Sequence, residues 1–187
     1  MSTQIEFRND QTNAKEDTEG SDGRLNVSSR TDGRRYYNSR DVGQTYSVAF
    51  NFNTAASTEY ALYVKNTSTS KTLVVSSIGI NSEVATRFQL DTVTGTAAAG
   101  TLLTPFNLNT SAAKAASATC MEGDSAAGGI TGLTIESKVD IAYCTATGHE
   151  ELRLNDSLRI KQNQAIGLQV LETAGGDVSG VIYFYFE

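Results

Sequence analysis

The sequence predicts an all-β fold: an antiparallel β-sandwich, jelly-roll-like in its connectivity, with an extended N-terminal arm. Three observations predict it. From Gln44 onward, apolar side chains recur at every second position, the period of a strand with one face on a core and the other in solvent. Clusters of Gly, Asn, Asp, Ser and Thr interrupt that rhythm about every 8–12 residues, the spacing of a sandwich. No segment carries a sustained helical stripe, and charged residues make up only 19% of the chain, below the usual quarter. Alternation does not fix strand order, so the jelly roll is the first expectation among sandwich connectivities.

The arm is read over residues 1–43. Acidic residues (Glu6, Asp10, Glu16, Asp17, Glu19, Asp22, Asp32, Asp41) and basic ones (Arg8, Lys15, Arg24, Arg30, Arg34, Arg35, Arg40) nearly balance there, and large apolar residues are few. Such a stretch buries too little apolar area to offset its own ordering entropy. Order must come from lying on something else.

The body is read over residues 44–187. Tyr46, Val48, Phe50 and Phe52 alternate with small polar residues, and Tyr60, Leu62 and Val64 follow after a turn. Residues 66–71 read as a hairpin loop before an apolar strand from Leu73 to Ile80, and Phe88 and Leu90 share one face of the next. Residues 94–119 hold glycines, alanines and the sole proline, Pro105, and read as an irregular excursion; a second Gly-rich hinge covers 123–132. Ile135, Val139, Ile141 and Tyr143 then share one parity, broken only by Ser137. Leu152 and Leu154 precede a turn at Asn155–Asp156, and Leu158 with Ile160 follows it. Ile166, Leu168 and Val170 form the next strand, and Ala174-Gly-Gly-Asp177 is a turn. The closing strand is apolar on both parities, with Val181, Tyr183 and Tyr185 against Ile182, Phe184 and Phe186. A strand apolar on both faces is covered on both. Tyr183, Phe184, Tyr185 and Phe186 are therefore candidates for core or subunit packing.

Composition excludes several functions. A net charge of -6 argues against general binding to a phosphate backbone, which Lys and Arg drive. No basic-then-apolar leader is present, and no apolar run reaches the ~20 residues that span a bilayer, so synthesis in a cytoplasm is expected and no membrane partner is. Cys120 and Cys144 lack the close spacing of a zinc site and read as free thiols, although a single bridge between them is open. The lone histidine, His149, next to Glu150 and Glu151, has no clustered second ligand, whereas a metal needs three or four. No metal or cofactor is expected. A nucleophile elbow, a phosphate loop and a Trp platform for sugars are all missing from the sequence, and no enzymatic activity is expected. A Cys144–His149 pair and a pair of loop carboxylates are the weaker enzymatic alternatives.

The strongest local feature is basic. Six of the nine arginines lie in the arm, four of them in Arg30-Thr-Asp-Gly-Arg-Arg-Tyr-Tyr-Asn-Ser-Arg40. Arginine offers a planar fork for carboxylates and stacks on aromatic rings, and Arg and Tyr are enriched at binding hot spots. Arg30, Arg34, Arg35, Tyr36, Tyr37 and Arg40 are the candidate partner contacts. A solvated mixed-charge tail and a single-stranded nucleic-acid contact are the other readings of the same residues.

The segments Arg35-Tyr-Tyr-Asn-Ser-Arg-Asp-Val-Gly-Gln-Thr-Tyr-Ser-Val-Ala-Phe50, Tyr60-Ala-Leu-Tyr-Val-Lys-Asn-Thr-Ser68, Asp91-Thr-Val-Thr-Gly-Thr-Ala97 and Thr104-Pro-Phe-Asn-Leu-Asn109 resemble small virion structural proteins of tailed bacteriophages. The resemblance runs from about Asp32 to the end of the chain and carries no catalytic motif. It implies a virion component. With this size and a single sandwich, it implies a capsid decoration, or cement, protein: a homotrimer on the outer capsid surface, bound to the major capsid protein and bridging capsomers. A receptor- or glycan-binding module of a head or tail fibre is the alternative, with its ligands expected in residues 94–119 or 123–132. A polysaccharide-degrading decoration is the third.

Overall fold

The structure is a computed structural model of the whole chain and describes residues 7–8, 15–16, 34–55, 58–124, 128–171 and 175–187. Two compact units divide it, Met1–Gly33 and Arg34–Glu187. In the first, the strands β1 (Phe7–Arg8) and β2 (Lys15–Glu16) pair antiparallel, Phe7 opposite Glu16. Arg30 and the rest of the expected arm up to Gly33 lie outside the described residues.

The second unit is a β-sandwich. After a helical turn α1 (Arg34–Tyr37), continued as a π-helical turn over Asn38–Val42, come β3 (Thr45–Asn53), β4 (Glu59–Asn66), β5 (Leu73–Ser82), β6 (Thr86–Ala98), β7 (Gly100–Leu103), β8 (Phe106–Asn107), β9 (Ala118–Gly123), β10 (Thr131–Cys144), β11 (Gly148–Ile160), β12 (Ala165–Val170) and β13 (Asp177–Phe186). One sheet runs β10-β6-β12-β4-β9-β7 and the other β11-β5-β13-β3-β8, with every pairing antiparallel. Setting aside β7, β8 and β9, which come from the excursion between β6 and β10, the other eight strands taken in chain order interleave as first-eighth-third-sixth in one sheet and second-seventh-fourth-fifth in the other. That order is the jelly roll, two Greek keys wound together. The chain crosses between sheets at nearly every step; β6 and β10 are the consecutive long strands that stay together.

Alternation builds the core directly. Cross-strand rows carry one face inward: Tyr46–Phe184–Val75, Val48–Ile182–Ile78 and Phe52–Val178–Ser82. From the other sheet, Leu62, Phe88, Leu90, Ile166, Leu168 and Val170 meet them, all buried. At the base of this layer Tyr46 stacks on Phe184 with ring centroids 5.6 Å apart, and Phe186 stands edge-on to both rings. The Tyr46 hydroxyl lies 3.2 Å from the carbonyls of Lys114 and Ala115, which ties the excursion to the core. Gly180 is needed in β13 because a Cβ there would sit 2.7 Å from the Phe50 ring.

Four sequence expectations differ from the structure. Residues 34–42 are helical and belong to the compact unit, so the body reaches ten residues further toward the N-terminus than composition indicated. The Asn155–Asp156 turn does not end a strand. Both residues take positive φ inside β11, where the register along β5 jumps from Arg153 to Leu158, and Ser76 Oγ donates to Asp156 Oδ1 at 2.7 Å. The excursion over 94–119 contains the end of β6 and all of β7 and β8. It also holds the start of β9. Finally, the apolar parity of β10 points away from the core. Ala142 and Cys144 are buried, while Ile135, Val139, Ile141 and Tyr143 are exposed. β10 is an edge strand, and its register along β6 shifts around Glu136 and Val139. Bulges there rotate the side chains off a simple two-residue period.

Candidate interaction surface

On the outer face of the five-stranded sheet, Arg35 and Tyr183, one residue of each group singled out in the sequence, come together. Its cross-strand rows read Phe106–Ser47–Tyr183–Ser77–Arg153, then Ala49–Val181–Gly79–Glu151, then Asn51–Ser179–Asn81–His149. The helical segment Arg34–Val42 lies at the first of these rows. The Arg35 guanidinium sits over the Tyr183 ring, 4.4 Å from its centroid. Thr45 Oγ1 donates to the Arg35 carbonyl at 3.2 Å.

The segment is helical for local reasons and docked for tertiary ones. Gly43 ends it in the left-handed conformation at φ +63, and the N–H groups of Gly43 and Gln44 both return to the Asn38 carbonyl. The 107–114 loop then stitches it from outside. Asn109 Nδ2 donates to the Ser39 carbonyl (2.8 Å), Asn107 Nδ2 to that of Gly43 (3.0 Å) and Lys114 Nζ to that of Val42 (2.7 Å). These bonds satisfy the carbonyl groups that a short helix leaves open at its C-terminus.

Of the predicted contacts, Arg35 is half-buried on Tyr183 and Tyr37 is 51% exposed. Arg34, Tyr36 and Arg40 are on the helical segment, with side chains outside the described residues, as is Arg30 altogether. Of the closing strand, Phe184 and Phe186 fill the core and Tyr185 is fully buried on the opposite face, beside Thr45. Of the four candidates for core or subunit packing, these three are buried within the chain itself, which leaves Tyr183 as the one with a surface to offer. It alone keeps accessible surface.

Beyond the helical segment the same face is an open, shallow groove. Its floor is Ala49, Gly79 and Val181; its walls are Asn51, Asn81, His149, Ser179, Glu83 and Asp177. The two contiguous hollows measure about 370 and 360 Å³. His149 Nδ1 lies 2.9 Å from Asn81 Oδ1, Asn53 Nδ2 donates to Asp177 Oδ1 (2.6 Å), and the Asp177 N–H bonds to Glu83 Oε2 (3.2 Å). These groups are already engaged with one another. Small residues on three adjacent strands, each unremarkable in sequence, create the groove, and only the strand order lines them up.

The six-stranded sheet has its own covered patch. Asp91 is fully buried beneath Tyr60 and opposite Lys138. Gln89 Nε2 donates to Asp91 Oδ1 at 2.8 Å, and the Tyr60 hydroxyl is 3.5 Å from Oδ2. Burial raises the Asp91 carboxyl above the usual range, against the opposing pull of Gln89, Lys138 and Tyr60. Burial, followed by the Asp91 charge, pushes the Tyr60 phenol up to about 12. Alternation gives no sign of this group, because Asp91 occupies a parity that the sequence alone assigns to solvent.

The residues weighed for catalysis lie apart. Cys144 faces the sandwich core from β10, whereas His149 is on the outer face of the opposite sheet. Burial pushes the Cys120 thiol up to about 12 and also raises that of Cys144, the reverse of what a nucleophilic thiolate needs. Cys120 on β9 and Cys144 on β10 are separated by β4, β12 and β6. At the usual strand spacing that is about 19 Å, too far for a bridge within the chain. Among the described residues no three His, Cys, Asp or Glu side chains converge as a metal site, and no helix is long and apolar enough to cross a membrane.

Against known proteins, no family model, no curated protein and no solved structure matches the chain.

Proposed function

We propose that this chain is a virion structural protein: a decoration, or cement, protein made in the host cytoplasm and carried on the outer surface of a phage capsid. In this reading it binds the major capsid protein as a homotrimer and bridges capsomers, with no nucleic acid or membrane as partner. The observation that carries the proposal is the Arg35–Tyr183 contact. The arginine–tyrosine segment is held on a sheet face by the Arg35–Tyr183 stack and by hydrogen bonds from Thr45 and Asn109, so the exposed Tyr37 is presented at a fixed place. A segment whose sequence is rich in Arg and Tyr suits an acidic, carboxylate-bearing protein surface. A trimer multiplies modest contacts through effective concentration, which is what resisting internal DNA pressure requires.

The test is to add purified chain to heads of the encoding phage assembled without it. The heads should bind it and survive a higher temperature or a stronger osmotic shock. Failure of the chain to bind would remove the proposal. The polar groove along Asn51, Asn81, His149 and Ser179 supports a second reading, a receptor- or glycan-binding module. Saturable binding of a host-surface glycan that is lost in Asn81→Ala would favour it.

A further inference from the structure

The outer face of the six-stranded sheet carries a small core of its own, separate from the one between the sheets. Tyr60 and Tyr63 on β4, Val93 on β6, Ala165 on β12 and Ile130 are buried together there, with Ala97, Met121 and Leu133 packed around them. Satellite clusters of this kind lie under excursions of the chain and open at less cost than the core that holds the fold. Ile130 is joined to β4 by an isolated bridge, its N–H donating to the Tyr60 carbonyl at 3.0 Å. Beside it, the Gly129 N–H reaches Glu59 Oε1 at 3.3 Å.

Beneath this cover lies a carboxyl group. Cross-strand rows of the face read Tyr63–Gly167–Asp91–Lys138 and Tyr60–Gln169–Gln89–Ile141. Asp91 is 0% exposed, whereas Lys138 on the edge strand is open to solvent. Gly167 is the seat on which Tyr60 lies, since a Cβ there would meet the Tyr60 ring at 2.7 Å. The polar partners of Asp91 are uneven. Gln89 Nε2 gives Oδ1 a full hydrogen bond at 2.8 Å, but the Tyr60 hydroxyl stands 3.5 Å from Oδ2, long for a hydroxyl donor. The titratable groups facing Asp91 are Tyr60 and Tyr63 from β4 and Lys138 from β10, while β12 brings Gly167 to the row. Lys65 and Arg87 belong to other rows, with Ala165 and with Tyr143. The Asp140 carboxylate is taken up by the Ile141 N–H at 2.8 Å. A buried carboxylate so placed is costly unless it is fully paired.

We infer that the satellite layer over Asp91 is a pH-sensitive latch: it stays closed while the carboxyl keeps its proton and opens as a unit, with the sandwich intact, when Asp91 ionises. Burial makes the closed layer hold that proton to a higher pH than an open, hydrated one. Opening therefore gains as pH rises from the ordinary carboxylate range to the closed-state value, and gains nothing further above it. Lys138 works against opening, because it attracts the ionised form. Opening adds Tyr60, Val93 and Ile130 to the apolar surface that Ile135 and Ile141 already show in the same rows. One proton thus sets how much apolar surface this face presents.

Hydrogen exchange on the full chain between pH 4 and 8, with each rate divided by its intrinsic rate, tests the latch. The amides of Ile130 and Leu133 report the cover. Those of β5 and β13, inside the other sheet, report the sandwich. In the native chain the cover should lose protection as pH rises and then level off, while β5 and β13 keep theirs. Asp91→Asn should abolish that pH dependence. Lys138→Met, at an exposed position, should steepen it, and this variant carries the test if Asp91→Asn does not fold. Cover protection that is constant with pH in the native chain, or a loss that survives in Asp91→Asn, would overturn the inference. So would a loss shared equally by β5 and β13, because that is unfolding of the whole sandwich.

Discussion

At the scale of single residues, the informative side chains are polar groups whose burial no periodicity announces. Asp91 is the clearest. Its folded-state carboxyl is raised above the ordinary value by burial, so the folded chain holds that proton to a higher pH than the unfolded one. Its contribution to stability is therefore most favourable below the ordinary carboxylate pKa and declines as pH rises through the folded value. Asp91→Asn removes the titration while keeping an acceptor for Gln89. Urea denaturation from pH 4 to 8 should show the variant gaining on the native chain as pH rises; a difference independent of pH would refute the assignment. Arg35 offers a second test. Arg35→Ala loses the contact with Tyr183 and should cost about 0.5–1 kcal/mol in the same assay, with part of it retained in Arg35→Lys. No loss would mean that the guanidinium does not rest on the ring in solution. The arginine cluster was legible in sequence, and so was the two-sided apolar character of the closing strand. That the two meet was not, because the contact joins residues 35 and 183 and depends on strand order.

Among elements, the helical segment Arg34–Val42 departs most from what the sequence suggests. It is too short and too polar to form by propensity, and its order comes from the Gly43 stop and the 107–114 loop. Gly43→Ala would combine a left-handed φ with a Cβ only 2.5 Å from that of Ala112. A left-handed conformation alone costs about 1–2 kcal/mol. We expect at least that loss of stability, with faster protease cleavage in 34–42; an unchanged cleavage rate would show that the segment is not held by its C-terminal stop. β3, β4, β5, β12 and β13 were legible because each lies inside a sheet and presents a regular face to one core. β10 was misread for the opposite reason. An edge strand has solvent on several sides, and bulges shift its parity so that apolar residues end up exposed.

For the whole molecule, the sandwich class followed from rhythm and turn spacing, but the jelly roll required pairings such as β6 with β12 and β5 with β13, which join residues far apart in sequence. The unit boundary at Arg34 also yields a prediction. A chain starting at Arg34 should unfold within a few degrees of the full chain, whereas one starting at Gln44 loses the Arg35 contact and the bonds to Ser39, Val42 and Gly43, and should unfold at a clearly lower temperature. Equal unfolding temperatures for both truncations would show that 34–43 is not part of the folded body. The functional reading is best judged by a cryo-electron microscopy reconstruction of heads reconstituted with the full chain. We expect three-lobed density on the outer capsid surface at three-fold or quasi-three-fold positions, with the Arg34–Val42 side of each sandwich facing the capsomers. A bare outer surface, or density confined to the tail, would show that the chain is not a cement protein.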